Sequence, residues 1–236
     1  MTFEDNFLAL PRDKQEIVAK EVLKEHYRQS LFHTAKTLLG YKDITDFTHG
    51  EIISALEQDT KRKLIVCPRG SFKSSVCVVS YSIWLLLRNP NLRILIDSEV
   101  YTNSKAFLTE IKAKLVSPMI INLFGDFRSN VNWTEGSITI KQRTKVLKEP
   151  SITVSGILAN KTGAHYDVIL HDDMNSDKSS ATQEGRKKVV DHYRMNISIA
   201  EPDAIIGVIG TRYASDDLIG FILENELGIN SDGSTL

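Results

Sequence analysis

The sequence predicts an α/β fold: a mostly parallel central sheet flanked by helices, with an antiparallel extension and a helical N-terminal segment. Three observations predict it. Short apolar runs without clean alternation recur at 63–67, 92–97, 166–171 and 204–210, the pattern of strands covered on both faces. Helical segments at 73–88, 101–116, about 180–198 and 216–226 separate them, and that βαβα rhythm builds a doubly wound parallel sheet. The first run, Leu64-Ile65-Val66, opens into a short loop ending in Lys73-Ser74, followed by the apolar helical run Val76 to Leu87. Strand, loop and buried helix in that order make a seat for phosphates, because backbone N–H groups and a helix N-terminus face the anion.

The remaining elements follow along the chain. Residues 11–39 read as helical, with Ile17, Val18, Val22, Leu23, Leu31, Phe32, Ala35, Leu38 and Leu39 at helical spacing and Gly40 as the stop. A second helical patch covers roughly 48–58. Between about 131 and 155, Trp133, Ile138, Ile140, Val146, Ile152 and Val154 alternate with polar residues around a turn at Glu135-Gly136, which predicts an antiparallel ribbon or sheet extension. The polar tail Gly228 to Leu236 reads as a linker or frayed end. The expected division is a helical segment at 1–60 packed on a core at 61–227, with the tail at 228–236.

Composition narrows the class. With 236 residues and 42% apolar content, the chain can bury one large α/β core. A net charge of −1 excludes a strongly basic surface. Nucleic-acid contact would therefore rest on local clusters, Lys61-Arg62-Lys63 and Arg186-Lys187-Lys188, each of which also reads as a solvated face or helix end. Cys67 and Cys77 make no disulfide framework and fit packing in a reducing compartment. No cleavable apolar leader is visible, and the run Val76 to Leu87 is too short to span a bilayer, so a soluble intracellular protein with no membrane partner is expected.

Three strand ends carry chemistry. The loop Pro68-Arg69-Gly70-Ser71-Phe72-Lys73-Ser74-Ser75 supplies a lysine to neutralise phosphate and a hydroxyl to reach a metal. In the GxxxxGK[ST] pattern its two glycines would fall at Cys67 and Phe72. Asp167-Val168-Ile169-Leu170-His171-Asp172-Asp173 ends an apolar strand in two carboxylates at the edge where ligands of parallel sheets bind. One carboxylate can hold a hydrated Mg²⁺ while the other reaches an attacking water; a surface turn or a helix cap is the bland alternative. Val208-Ile209-Gly210-Thr211-Arg212-Tyr213 ends a third strand in a hydroxyl and a guanidinium able to feel a γ-phosphate. Its bland reading is a strand-to-helix turn capped by Ser215 or Asp216. His49, His165 and His171 read chiefly as structural. Tyr101, Thr102 and Ser104 read as a cap for the following helix, and Tyr27 to Lys36 would touch a nucleotide base only if the first helices fold over the loop.

In this order, Pro-Arg-Gly-x-x-Lys-Ser, the Asp-Asp strand and Gly-Thr-Arg-aromatic with Asp216-Asp217-Leu218 resemble the ATPase domain of bacteriophage large terminase subunits. The resemblance runs from about Phe47-Thr48-His49 to Gly220 and includes Gly156, Thr162-Gly163, His165 and Asp167 before the acidic strand. It implies a RecA-like P-loop NTPase with the loop strand beside the Thr211 strand and the acidic strand next. Four parallel strands would carry Lys73, Asp172 and Thr211 at one edge. It implies ATP and Mg²⁺, with Lys73 on phosphate, Ser74 and Asp172 on the metal, and Asp173 in place of the usual catalytic glutamate. Arg69 would stabilise the transferred phosphoryl group, and Thr211 with Arg212 would couple hydrolysis to motion. The implied partners are double-stranded DNA, a portal protein, a small terminase subunit and further copies in a ring, in the host cytoplasm. The family's nuclease domain has no counterpart among these residues.

Two other readings remain open at this stage. A helicase or small-molecule kinase would need a second motor lobe, or a lid with an acceptor pocket. A nucleotide-binding scaffold disabled by Phe72 would lack Mg²⁺-dependent hydrolysis that Lys73→Ala and Asp173→Ala abolish.

Overall fold

The computed structural model describes residues 10–157, 159 and 163–227; the expected tail at 228–236 and Thr162 lie outside them. Among the described residues six strands form one sheet: β1 (Arg62–Val66), β2 (Ile94–Ser98), β3 (Ser137–Ile138), β4 (Ile152–Gly156), β5 (Tyr166–Asp172) and β6 (Ala200–Gly210). Their spatial order is β1-β6-β5-β2-β4-β3. The first five are parallel to one another, and β3 runs antiparallel to β4. The loop strand does lie beside the Thr211 strand, with the acidic strand next. The parallel set is larger than expected by one strand, because β4, read as part of a ribbon, pairs with β2 and belongs to the main sheet. Among the described residues only Ser137–Ile138 and the Trp133–Ile138 bridge are antiparallel. Val146 is fully exposed, so the alternation there does not continue.

The helices are α1 (Arg12–Gln29), α2 (Leu31–His33), α3 (Asp46–Glu57), α4 (Tyr81–Arg88), α5 (Tyr101–Leu115), α6 (Pro118–Phe124), α7 (Asp177–Ser180), α8 (Gln183–Ile197) and α9 (Leu218–Asn225). The helical stretch expected at 11–39 is broken at Ser30, whose backbone is extended and whose hydroxyl accepts from the N–H of His33. A π-helical turn, Thr34–Leu38, continues α2 to Gly40. A second π-helical stretch, Ser75–Ser80, leads from the loop into α4. Wide turns of this kind cluster at functional sites.

Strand alternation divides the core in two. Ile65, Ile94, Ile96, Val168, Leu170 and Ile209 pack on one face with Val76 to Leu87 and with Tyr27, Leu31, Ala35 and Leu38 of the N-terminal helices. Leu95, Ile169, Ile206 and Val208 pack on the other with Val189 and Tyr193 of α8 and Leu218 and Ile222 of α9. Tyr27 is therefore a core residue, and of Tyr27 to Lys36 it is Tyr27, Leu31 and Ala35 that share a cluster with the helix behind the loop, while Lys36 donates to the Ile44 carbonyl. Gly156 ends β4 where the start of α5 passes close by: a Cβ there would lie 2.8 Å from the backbone nitrogen of Tyr101.

Neither basic triplet forms one cationic surface. Lys63 is buried, and its ammonium donates to the Ala55 and Gln58 carbonyls and the Thr60 hydroxyl, closing the end of α3. Arg186 pairs with Asp216, at 2.7 Å. Both cysteines are free thiols. Among the described residues no helix is long and apolar enough to cross a membrane.

Candidate nucleotide site

Every strand end singled out in the sequence reaches the same sheet edge. Val66 pairs with Gly210 on β6, and Asp172 on β5 pairs with Ile209. Along β5, Val168, Leu170 and Asp172 share a face, as do Ile209 and Thr211 beyond β6. That face is the one covered by the helix after the loop, so Asp172 and Thr211 are delivered to Lys73 and Ser74 by strand periodicity alone.

The contacts are specific. Ser74 Oγ donates to both oxygens of Asp172, at 2.9 and 3.0 Å, across 98 positions of chain. Lys73 is buried; its Nζ donates to Thr211 Oγ1 at 2.9 Å and lies 3.1 Å from Asp173 Oδ1. Thr211 Oγ1 in turn donates to the Cys67 carbonyl at 3.0 Å, closing a chain from ammonium to loop backbone. Arg69, Gly70, Ser71, Phe72, Lys73, Ser74, Ser75 and Asp173 line an open cavity of about 240 Å³. Pro68 shapes the loop from below, its carbonyl accepting from Ser71 Oγ at 2.8 Å.

The loop backbone is strained where the glycine pattern fails. Gly70 has φ +81°, which costs glycine nothing, but Phe72 has φ +54° and Asp173 φ +42°. These are the two non-glycine residues of positive φ among those described, and both border the cavity. A left-handed side-chain-bearing residue costs about 1–3 kcal/mol and persists where its surroundings over-determine it. The Phe72 ring stands edge-on to His49, 6.3 Å between centroids, which ties the strained loop to α3.

Asp172 is electrostatically unsatisfied. Burial pushes its carboxyl up to about 7, the Asp173 charge adds to the rise, and the Ser74 hydroxyl and Lys73 offset only part of it. A hydroxyl and a buried carboxylate are hard oxygen donors, and a divalent cation beside them would supply the missing charge. Ser74 and Asp172 therefore fit Mg²⁺, which favours few protein oxygens and keeps several waters.

Other expected residues lie elsewhere. The Arg212 guanidinium turns back on its own loop, donating to the Ala214 and Ser215 carbonyls at 3.3 and 3.2 Å. The cap of α9 is neither Ser215 nor Asp216 but Asp217, which is buried and accepts from Gly220 N–H at 3.0 Å. Asp216 is engaged by Arg186. Val100 occupies the cap position of α5 and makes no side-chain cap bond, so Tyr101, Thr102 and Ser104 do not cap it; Ser104 instead bonds the Ser155 carbonyl. Asp167 and His165 sit at the opposite edge of the sheet, where Asp167 bonds Arg93 at 2.9 Å.

His171 faces away from the loop. It lies fully buried 3.3 Å from Asp97 of β2, which also meets His192 at 2.7 Å and Asn196 at 2.8 Å on α8. The sequence reading missed this cluster. Its signal is Asp97 directly after the apolar run Ile94-Leu95-Ile96, a charged residue inside a fully buried strand.

A Lys73-Ser74 loop after β1, a Ser74–Asp172 pair and a mostly parallel sheet with both faces covered, consistent with a RecA-like fold, describe the class of this chain. Comparison with known proteins narrows it. No family model matches the chain. Over 132 residues, 56% of the chain, it is 29% identical to the terminase large subunit of Enterobacteria phage T3 and covers 22% of that protein. In fold it overlays the large terminase of bacteriophage HK97 with a TM-score of 0.57 over 85% of this chain, at 10% identity and 41% of that chain. The chain thus spans less than half the length of either, and its resemblance to terminase large subunits holds in sequence and in fold.

Proposed function

We propose that this chain is the ATP-hydrolysing motor domain of a viral DNA-packaging terminase, coupling hydrolysis to translocation of double-stranded DNA into a procapsid. Residues 1–60 would form a helical segment on the ATPase core 61–227. The observation that carries the reading is the meeting of Lys73 and Ser74 with Asp172, Asp173 and Thr211 from three separate strand ends. The similarity to the large subunits from phages T3 and HK97 supplies the DNA-packaging role.

In this reading the loop from Pro68 to Ser75 wraps the phosphates, and their charge draws the Lys73 ammonium away from Asp173. Asp173, so released, orients or deprotonates the water that attacks the γ-phosphate in line. Lys73 and Arg69 stabilise charge developing on the transferred group. Mg²⁺, held through Ser74 and Asp172, would neutralise charge on the phosphate oxygens. Thr211 bonds the same ammonium, so loss of phosphate returns Lys73 to Thr211 and shifts the segment beyond β6. The working form would be a ring of copies on a portal protein, with a small terminase subunit selecting the DNA, in the host cytoplasm.

The test is phosphate release from ATP with Mg²⁺, with and without double-stranded DNA. Hydrolysis that needs Mg²⁺, rises with DNA and disappears in Lys73→Ala supports the proposal. Hydrolysis unchanged in Lys73→Ala and Asp173→Ala would remove it.

A further inference from the structure

Arg69 belongs to the phosphate loop and lines its cavity, yet its guanidinium is committed elsewhere. Nη2 donates to the hydroxyl of Tyr213, and Cζ lies 5.5 Å from the centroid of the same ring. Asp177 Oδ2 of α7 is 3.7 Å away on another side. Tyr213 is itself anchored. Its backbone N–H donates to Asp217 Oδ2 at 2.7 Å, and Asp217 is the fully buried cap of α9. A hydroxyl, a ring face and a carboxylate therefore hold one exposed cation on the segment that follows Thr211, while Tyr213 itself does not line the cavity.

We propose that Tyr213 is a positioning residue for Arg69: it latches the guanidinium to the segment after β6 until an anion in the loop competes for it. The proposal rests on the nucleotide reading above. A guanidinium presents a planar fork of donors that phosphate oxygens accept in pairs. A bound triphosphate therefore offers Arg69 more charge than one phenol and one solvent-screened carboxylate do. Release of Arg69 uncouples the loop from Tyr213 and, through Asp217, from the start of α9. The latch and the Lys73–Thr211 bond then act on the same segment from two adjacent points of the loop.

The experiment uses the whole chain and two readouts. Side-chain ¹⁵N NMR of Arg69 without nucleotide reports whether the guanidinium is restrained, and calorimetry measures binding of Mg²⁺ with a non-hydrolysable ATP analogue. Tyr213→Phe keeps the ring and removes the acceptor. The guanidinium is expected to be restrained in the unsubstituted chain and freed in Tyr213→Phe, with analogue affinity rising roughly threefold as more of the population has Arg69 available. In an Arg69→Ala background Tyr213→Phe should leave affinity unchanged, and Asp177→Asn alone should act in the same direction as Tyr213→Phe but less. A guanidinium equally mobile in both chains, or an affinity change that persists without Arg69, overturns the latch. A restrained Arg69 in a chain that binds no nucleotide in any variant supports the latch and contradicts the nucleotide reading.

Discussion

Asp97 and Asp172 are buried carboxylates on paired strands, one rung apart: Asp97 pairs with His171 and Ser98 with Asp172. They point to opposite faces of the sheet and meet opposite surroundings. Burial would raise both. At Asp97 the hydrogen bonds and charges of His171 and His192 outweigh it and hold the carboxyl down to about 2. At Asp172 burial prevails, the neighbouring Asp173 adds to it, and the carboxyl is pushed up to about 7. The first carboxylate gathers His171, His192 and Asn196 on its Oδ2 and acts as a strut between β2, β5 and α8. The second is left short of positive charge behind Ser74 and beside Asp173, which line the cavity. The sign of the neighbouring groups, imidazoles and an amide N–H at Asp97 against a second carboxylate at Asp172, separates the two aspartates more than burial or residue type does.

This contrast can be broken by swapping which aspartate is neutralised. Asp97→Asn should destabilise the protein by about 3–5 kcal/mol at neutral pH, as breaking a buried charged network does; urea unfolding measures it. The same substitution tests the sign with pH. The Asp97 carboxyl is depressed below its ordinary 3.8, so its contribution is present above that pH and fades as pH falls toward about 2. A small loss at neutral pH would show that the Asp97 cluster is not the strut.

On the cavity side the expected loss is of rate. Lys73→Ala and Asp173→Ala should each lower Mg²⁺-dependent ATP hydrolysis about a hundred- to a thousandfold, about 2.7–4 kcal/mol of barrier, with folding retained by circular dichroism.

Neutralising Asp172 should have the reverse effect of neutralising Asp97 on the metal-free protein. Between the ordinary 3.8 and about 7 the folded protein holds a proton that the unfolded chain has shed, so stability falls as pH rises through that window. Asp172→Asn removes this dependence. With a chelator present it should be more stable than the unsubstituted chain at pH ~8, by about 2–4 kcal/mol, and equal to it near pH ~4. Thermal melts at the two pH values read the difference, and equal melts at the higher pH would contradict the account of Asp172.

The smallest effect concerns backbone strain. Phe72→Gly and Phe72→Ala both remove the ring, but only glycine tolerates φ +54°. The glycine variant should be the more stable by about 1 kcal/mol, read from urea midpoints. Equal midpoints would mean that the loop relaxes at no cost.

Much of this was legible in the residue order. Parallel strands buried on both faces announce themselves as unbroken apolar runs, and a site at their shared edge is fixed by what ends each run: Lys73 after Val66, Asp172 after Leu170, Thr211 after Gly210. Period-two alternation then decides which of His171 and Asp172 faces the loop. Three features were hidden for physical reasons. The break at Ser30 interrupts no apolar spacing, because Tyr27 before it and Leu31 and Ala35 after it follow at intervals of four and join one core cluster, whereas Ile17, Val22 and Leu23 of α1 stay exposed. β4 alternates like an exposed ribbon strand although β2 and β3 flank it, since Thr153 lies between the buried Ile152 and Val154. The partners of Arg69, Arg212 and Asp217 depend on how one turn folds back, and local spacing carries no record of that.

The central claim is that one triphosphate binds where Lys73, Ser74, Asp172 and Thr211 converge. Its most direct test is a crystal structure with Mg²⁺ and a non-hydrolysable ATP analogue. The account predicts phosphates in the 240 Å³ cavity, with the Lys73 ammonium turned from Asp173 onto them and the cation against Ser74 and Asp172. Phosphates bound instead in the larger groove between α8 and α9, beside Arg186 and Arg194, with Lys73 still on Asp173, would contradict it.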